Sequence, residues 1–228
     1  MTNPQQTYRQ HLFDAVMGAR PQSILDVGCG QGAFLSRVAE RDCIGAGLDP
    51  DENRVAELVA RGIDARIGHA ESLPFPNESF DCIVMEYVPH HLANLPLALC
   101  EAVRVARRGI FILDTWCDTA LPSQRAAFAL DGWFKLIDRR TGMIHNDCLA
   151  VSEFLAPLAG VNGLAFDYTC RLVIASQPLA EVVEEACQYL GKIGNDPALT
   201  GAFDRILDGA RRDGLTYPGA LLMSIRKG

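Results

Sequence analysis

The sequence has no apolar run approaching the ~20 residues a membrane-spanning helix requires. The segment Met1 to Arg9 is polar where a secretory signal would carry a hydrophobic core. An excess of positive charge is also missing. Twenty-one Lys and Arg stand against 28 Asp and Glu, a formal charge of −7, whereas gripping a phosphate backbone by bulk charge needs a basic face. The eight cysteines, at positions 29, 43, 82, 100, 117, 148, 170 and 187, include no two at the close spacing of a zinc knuckle or a redox pair. Most lie in apolar stretches and read as small buried hydrophobes of a reducing compartment. These absences predict a soluble, cytoplasmic protein with no membrane span, no nucleic-acid partner and no metal site. What is there is a chain of 228 residues, 49% of them apolar, enough for the core of one domain.

Along the first half, strand and helix signals alternate. Ser23 to Val27 (SILDV) predicts a short strand that ends at Gly28-Cys29-Gly30-Gln31-Gly32, and Ala33, Phe34, Val38 and Ala39 follow at helical spacing. Cys43 to Leu48 predicts a second strand, stopped by Asp49-Pro50. Asp51 is placed to cap a helix with Val55, Leu58 and Val59 on one face, ended by Gly62. Ile63 to Ile67 and Phe80 to Met85 read as the third and fourth strands. Asn94 and Pro96 open a helix running to about Ala106, and Gly109 to Leu113 is a fifth strand, apolar throughout and so buried on both faces. Strands and helices alternating in this way predict a parallel sheet with helices on both sides and ligands at the carboxyl ends of the strands.

Past Leu113 the pattern loosens. Residues 115–147 carry Trp116, Phe128, Trp133 and Phe134 among polar residues and read as a mostly helical insertion. Ser152 is placed to cap a helix through about Ala159, and Leu164 to Ala175 predicts a long strand. Helical stretches over 179–190 and 197–212 precede a last strand, Ala220 to Ile225. The expected organisation is a single domain, 1–228. It comprises a helical cap (1–22), a ligand-binding half (23–114), a helical lid (115–147), and a C-terminal half (148–228) with a helical excursion over 178–214.

The chemistry concentrates in Ile24-Leu25-Asp26-Val27-Gly28-Cys29-Gly30-Gln31-Gly32. Glycines let the backbone turn tightly from strand into helix and bring its amides close to a ligand. Asp49, nineteen residues after Gly30, ends a strand near the surface, where a carboxylate can accept both hydroxyls of a ribose. Gly28-x-Gly30-x-x-Ala33 also satisfies the loose dinucleotide fingerprint, so an NAD(P)-dependent oxidoreductase is an alternative, and a strand–helix turn with no ligand fits the glycines as well. Asp26 divides the ligand classes. A carboxylate two residues before the first glycine repels a pyrophosphate and attracts a ligand carrying a sulfonium and an ammonium.

With that carboxylate, the sequence resembles the class I S-adenosylmethionine-dependent methyltransferases, and among them the small-molecule type 11 group related to the ubiquinone/menaquinone methyltransferases. Ile24 to Leu35 is similar to the first motif of that family and Gly47-Leu48-Asp49-Pro50 to its acidic second. Gly68 to Phe75 (GHAESLPF) with Ser79 to Val84 resembles its adenine loop and fourth strand, and Glu101 to Val105 the helix before its fifth. The likeness covers about residues 23–114 in the family's order. It implies a Rossmann-like α/β fold: a mostly parallel seven-stranded sheet with an antiparallel last strand, helices on both faces, and the helical lid. It also implies S-adenosyl-L-methionine as cofactor. Gly28, Cys29, Gly30 and Gly32 would then surround the methionine part, with Asp26 serving its amino group. Asp49 and Pro50 would face the ribose, His69, Ala70 and Glu71 the adenine, and Glu86 and Tyr87 the sulfonium end. Two departures stand out: His69 replaces the family's aspartate, leaving one imidazole nitrogen to accept from the adenine amino group, and Arg107-Arg108-Gly109 replaces its Pro-Gly-Gly turn.

Methyl transfer from a sulfonium is an in-line displacement that needs alignment and, for a hydroxyl or acidic carbon, a base. His91, after the fourth strand beside His90, and His145, at the end of the insertion, are the candidate bases. Packing, capping or plain solvation would equally account for histidines there. Asp114 ends the fifth strand, within reach of the pocket or as a cap. Trp116, Trp133 and Phe134, with Phe128 and Met143, either wall an apolar acceptor pocket or form the insertion's own core. No Asn-Pro-Pro-Tyr-type motif follows the fourth strand, which argues against nucleic-acid bases as acceptors. The expected function is methyl transfer to a small, partly apolar molecule. The alternatives are the oxidoreductase and a SAM-binding protein without transferase activity.

Overall fold

Residues 4–194 and 196–228 are described by the computed structural model. The chain opens with α1 (Pro4–Gly18), then runs β1 (Ser23–Val27), α2 (Ala33–Val38), β2 (Ile44–Asp49), α3 (Glu52–Ala60), β3 (Ala65–Ile67) and β4 (Phe80–Glu86). It continues with α4 (Leu95–Val105), β5 (Ala106–Trp116), α5 (Pro122–Arg140), α6 (Val151–Leu155), β6 (Leu164–Arg171), α7 (Leu179–Lys192), α8 (Pro197–Asp213) and β7 (Gly219–Lys227). Local chemistry explains several boundaries. The Asp51 carboxylate accepts from the amides of Asn53 and Arg54 at the start of α3, Asn94 accepts from Leu97 in α4, and Asp196 from Ala198 in α8.

The sheet order is β3-β2-β1-β4-β5-β7-β6. Pairing is parallel from β3 through β5, and β7 runs antiparallel to both β5 and β6. Alternation along the central strands buries both faces. Leu25, Ile83, Met85, Ile110 and Ile112 pack under α4 and α6, while Ile24, Cys82, Val84, Phe111 and Leu113 pack against α1 and α2. A separate core joins α5, α7 and α8 through Trp133, Ile137, Val182, Ala186, Phe203 and Leu207.

Three of the boundaries that differ from expectation have a visible local cause. Helix α4 passes directly into β5, so Arg107, Arg108 and Gly109 are strand residues and not a turn. Arg107 earns this place by pairing with Asp81 at 2.5 Å and donating to the Glu78 carbonyl. The helix at 152 starts one residue earlier, without a Ser152 cap; the Glu153 carboxylate accepts from the Ala150 amide instead. Strand β6 stops at Arg171, after which Val173 donates to the Tyr8 hydroxyl, tying the chain to α1. Among the described residues no helix is long and apolar enough to cross a membrane, and all eight cysteines are free thiols.

Candidate active site

The carboxyl ends of β1, β2 and β4 open into a cavity of about 970 Å³, near the upper end of the usual range for a ligand site. One end is built from the turn after β1. Gly28 and Gly30 have φ of 72° and 53°, a backbone conformation natural to glycine, and a Cβ on Gly28 would collide with Val88. Asp49 holds this turn in place. One of its carboxylate oxygens accepts from the Gly30 amide at 2.9 Å and the other from Asp51 at 3.0 Å. Asp49 is therefore buried and structural as well as lining, not a surface strand end, although a carboxylate has lone pairs left for ligand hydroxyls.

Three carboxylates crowd this end. Asp26 is buried, one residue before the lining Val27, and its carboxyl is held well above the usual range by burial and then by the charges of Glu86 and Asp49. Glu86 lines the cavity and is raised by burial, with Arg9 and Arg37 pulling the other way. Arg9, on α1, lies 3.1 Å from Glu86 as an ion pair without a well-aligned hydrogen bond, and its guanidinium sits 5.6 Å from the Tyr87 ring centre. Tyr87 has φ of 56°, and its amide donates to the Leu113 carbonyl, so the turn after β4 is held in an uncommon conformation beside the cavity.

The remaining cofactor candidates divide by position. Pro50, His69, Ala70 and Glu71 line the cavity, and so does Arg54, which the sequence reading missed. The Glu71 carboxylate is engaged elsewhere, accepting from the amides of Ala93 and Asn94. Cys29, Gly30 and Gly32 shape the turn without lining the cavity. Cys29 packs with Leu35 and Leu58, and burial pushes its thiol up to about 12.

At the other end, Leu92, Leu97, Met143 and Ile144 give an apolar wall, joined by His91. Trp116, Trp133 and Phe134 are not part of it. Trp116 packs against the main core. Trp133 is buried between α5 and α8, its indole donating to the Leu199 carbonyl at 2.9 Å, and Phe134 packs edge-on to Tyr189. Of the rings and Met143 named from the sequence, Met143 alone lines the cavity.

The fold brings His90, His91 and His145 together, with ring centres 4.3, 4.4 and 5.1 Å apart. Each Nδ1 has an acceptor: Asp114 for His90, the Ile144 carbonyl at 3.0 Å for His91, and Asp138 at 2.9 Å for His145. With Nδ1–H donating, every neutral ring keeps a lone pair on Nε2. Burial and the neighbouring imidazoles lower His145 to about 4, against the opposing pull of Asp138, and burial first of all lowers His91. Two of the three rings are thus neutral at physiological pH. Only His91 lies on the cavity wall.

The strand order, the single antiparallel strand and the glycine turn facing an acidic β2 end define a Rossmann-like class I methyltransferase fold. Residues 25–113 match the model of the methyltransferase-domain family. Among curated relatives, ajmaline N-methyltransferase of Rauvolfia serpentina is 30% identical over 103 residues, 41% of this chain and 35% of that protein. A ubiquinone biosynthesis O-methyltransferase of Rhizobium etli is 27% identical over 164 residues, 69% of this chain and 64% of that protein. The crystal structure of YcgJ from Bacillus subtilis superposes with a TM-score of 0.65 at 18% identity, covering 96% of this chain and 98% of that one. In sequence, the chain spans about a third to two thirds of the length of the curated relatives it matches.

Proposed function

We propose that the chain transfers a methyl group from S-adenosylmethionine to a small, partly apolar acceptor, in the cytoplasm and without a nucleic-acid partner. The observation that carries this reading is the acidic end of the cavity. Asp26, Asp49 and Glu86 interact electrostatically there, and burial has already raised two of them. A ligand with a sulfonium and an ammonium relieves that repulsion, whereas the pyrophosphate of a nicotinamide cofactor would add to it. When bound, the cofactor supplies an electrophilic methyl group on a positive sulfur.

The chain's residues then have separable tasks. The Gly28 turn, with no side chain in the way, lets the amino-acid part approach the backbone, the Asp26 carboxylate serves its ammonium, and the free lone pairs of Asp49 accept from the ribose. His69 and Ala70 face the adenine, and Glu86 and Tyr87 border the sulfonium end. Leu92, Leu97, Met143 and Ile144 exclude water from an apolar acceptor at the far end. His91 and His145 are the candidate bases, and His91, already on the wall, is the one that reaches an acceptor directly.

Calorimetry tests the reading. S-adenosylmethionine and S-adenosylhomocysteine are expected to bind with micromolar-range affinity, and NAD(H) and NADP(H) not to bind. Nicotinamide binding without homocysteine-nucleoside binding would overturn it.

A further inference from the structure

The histidine cluster has features that a single base does not need. One potential ligand nitrogen from each of His90, His91 and His145 lies within 4.8 Å of the other two. Each Nδ1 faces an acceptor, so the lone pair that each neutral ring keeps for a ligand is on Nε2. The acceptors are two carboxylates and a backbone carbonyl, the kind of outer support that fixes the tautomer and orientation of metal-bound histidines.

The carboxyl groups behind the rings point the same way. Asp114 and Asp138 are both buried, and the second oxygen of Asp114 is buried without a hydrogen-bond partner among the described residues. The nearby cations form their ion pairs elsewhere: Lys135 pairs with Asp131 at 2.8 Å, and Arg139 with Asp147 at 3.1 Å. Two buried carboxyl groups therefore back the imidazoles, and one divalent ion held by the rings would complement them.

The structure assigns to His90, His91 and His145 a site for one divalent transition-metal ion of the zinc type, held by three Nε2 atoms. An all-imidazole set suits zinc and its neighbours rather than magnesium or calcium, which take oxygen ligands. Metal–nitrogen bonds of about 2.0–2.1 Å bring tetrahedral ligand atoms to roughly 3.4 Å, so the rings close inward by small side-chain rotations. His91 is exposed and His145 half-buried, which leaves the ion a path in. The fourth position is free for water or for an oxygen of a molecule in the cavity. Use of that position to activate an acceptor rests on the methyltransferase reading, with the ion then replacing the histidines as the activating group; the metal site itself does not rest on it.

The test is titration of chelator-treated protein with Zn²⁺ by calorimetry and with Co²⁺ by visible absorption. One ion per chain is expected, with the Co²⁺ spectrum of a four-coordinate site. H91A and H145A should each abolish stoichiometric binding, D138N should weaken it ~10–100-fold, and H11A, outside the cluster, should leave it unchanged. Circular dichroism checks the fold of each variant, and H91A, at an exposed position, keeps the test decisive. Less than one ion per parent chain, or binding that survives H91A and H145A, overturns the assignment. S-adenosylhomocysteine binding is measured on the same samples. Its absence beside intact metal binding would sink the methyltransferase reading while supporting this site.

Discussion

Asp26 is a carboxylate placed where ionisation is unfavourable, since it is 2% exposed and shares its surroundings with Asp49 and Glu86. A carboxyl whose folded pKa is raised keeps its proton in the native state after the unfolded chain has released it. Between about pH 4, the ordinary range, and the raised folded value, the native state therefore binds more protons, and stability falls as pH rises through that window. D26N removes this penalty. The ligand-free variant is expected to melt at a higher temperature than the parent at pH 7, with the gain shrinking as the pH is lowered toward about 4. Its affinity for S-adenosylhomocysteine should fall at least tenfold, since the ammonium loses its charged partner. Thermal melts across pH and calorimetry read the two effects, and a variant with unchanged melting and unchanged binding would remove Asp26 from the site. The residues legible in the sequence were those set by the strand ends, namely Gly28, Asp49, Pro50, His69, Ala70, Glu86 and Tyr87. Arg54, on the cavity wall, and Arg9, paired with Glu86, were not legible, because a cation on a helix carries no local sign of what it meets.

At the scale of elements, the alternating pattern through β5 carried over from sequence to structure because each unit there is decided by its own period and punctuation. The segment 115–147 is mostly helical, as its pattern predicts, but where its rings pack was not legible, because an amphipathic helix does not announce its partner. Strand β5 absorbs Thr115 and Trp116, and α5 buries Leu130, Trp133 and Ile137 against α7 and α8. The part that meets the cavity is the irregular stretch 141–150, with Gly142, Met143 and Ile144 on the wall. It is fastened to the turn after β4, where Asn146 donates to the carbonyls of His90 and Leu92 at 2.7 and 2.9 Å. Ligand-dependent protection in hydrogen exchange is therefore expected in 141–150 on adding S-adenosylhomocysteine and acceptor, with α5 unchanged. Protection across the whole of 115–147 would restore a lid that moves as one piece, and protection nowhere in it would remove this segment from substrate closure.

At the scale of the molecule, two cores divide the work. The sheet, with α1, α2, α4 and α6, sets the position of every strand end that lines the cavity, while α5, α7 and α8 form a second core around Trp133. Trp133 is 4% exposed, packs on Phe134 and Phe203 with ring centres 5.1 and 5.0 Å away, and donates its indole N–H to Leu199. Truncating so large a buried ring leaves a cavity that the surrounding helices close only in part, at a cost of ~3–5 kcal/mol. That loss falls on helices that supply none of the cofactor-end wall, where the lining residues come from the ends of β1, β2 and β4 and the loop before β4. W133A is thus expected to lower stability by that amount in urea unfolding. S-adenosylhomocysteine affinity, measured well below the transition, should stay within a few-fold of the parent's. Helices α5, α7 and α8 contact one another more than they contact the sheet, so a helical core that opens on its own would instead give W133A an early, separate transition at which the binding signal persists. A W133A protein that keeps its full stability but loses cofactor binding would show that Trp133 belongs to the site and that the two cores are not divided as described.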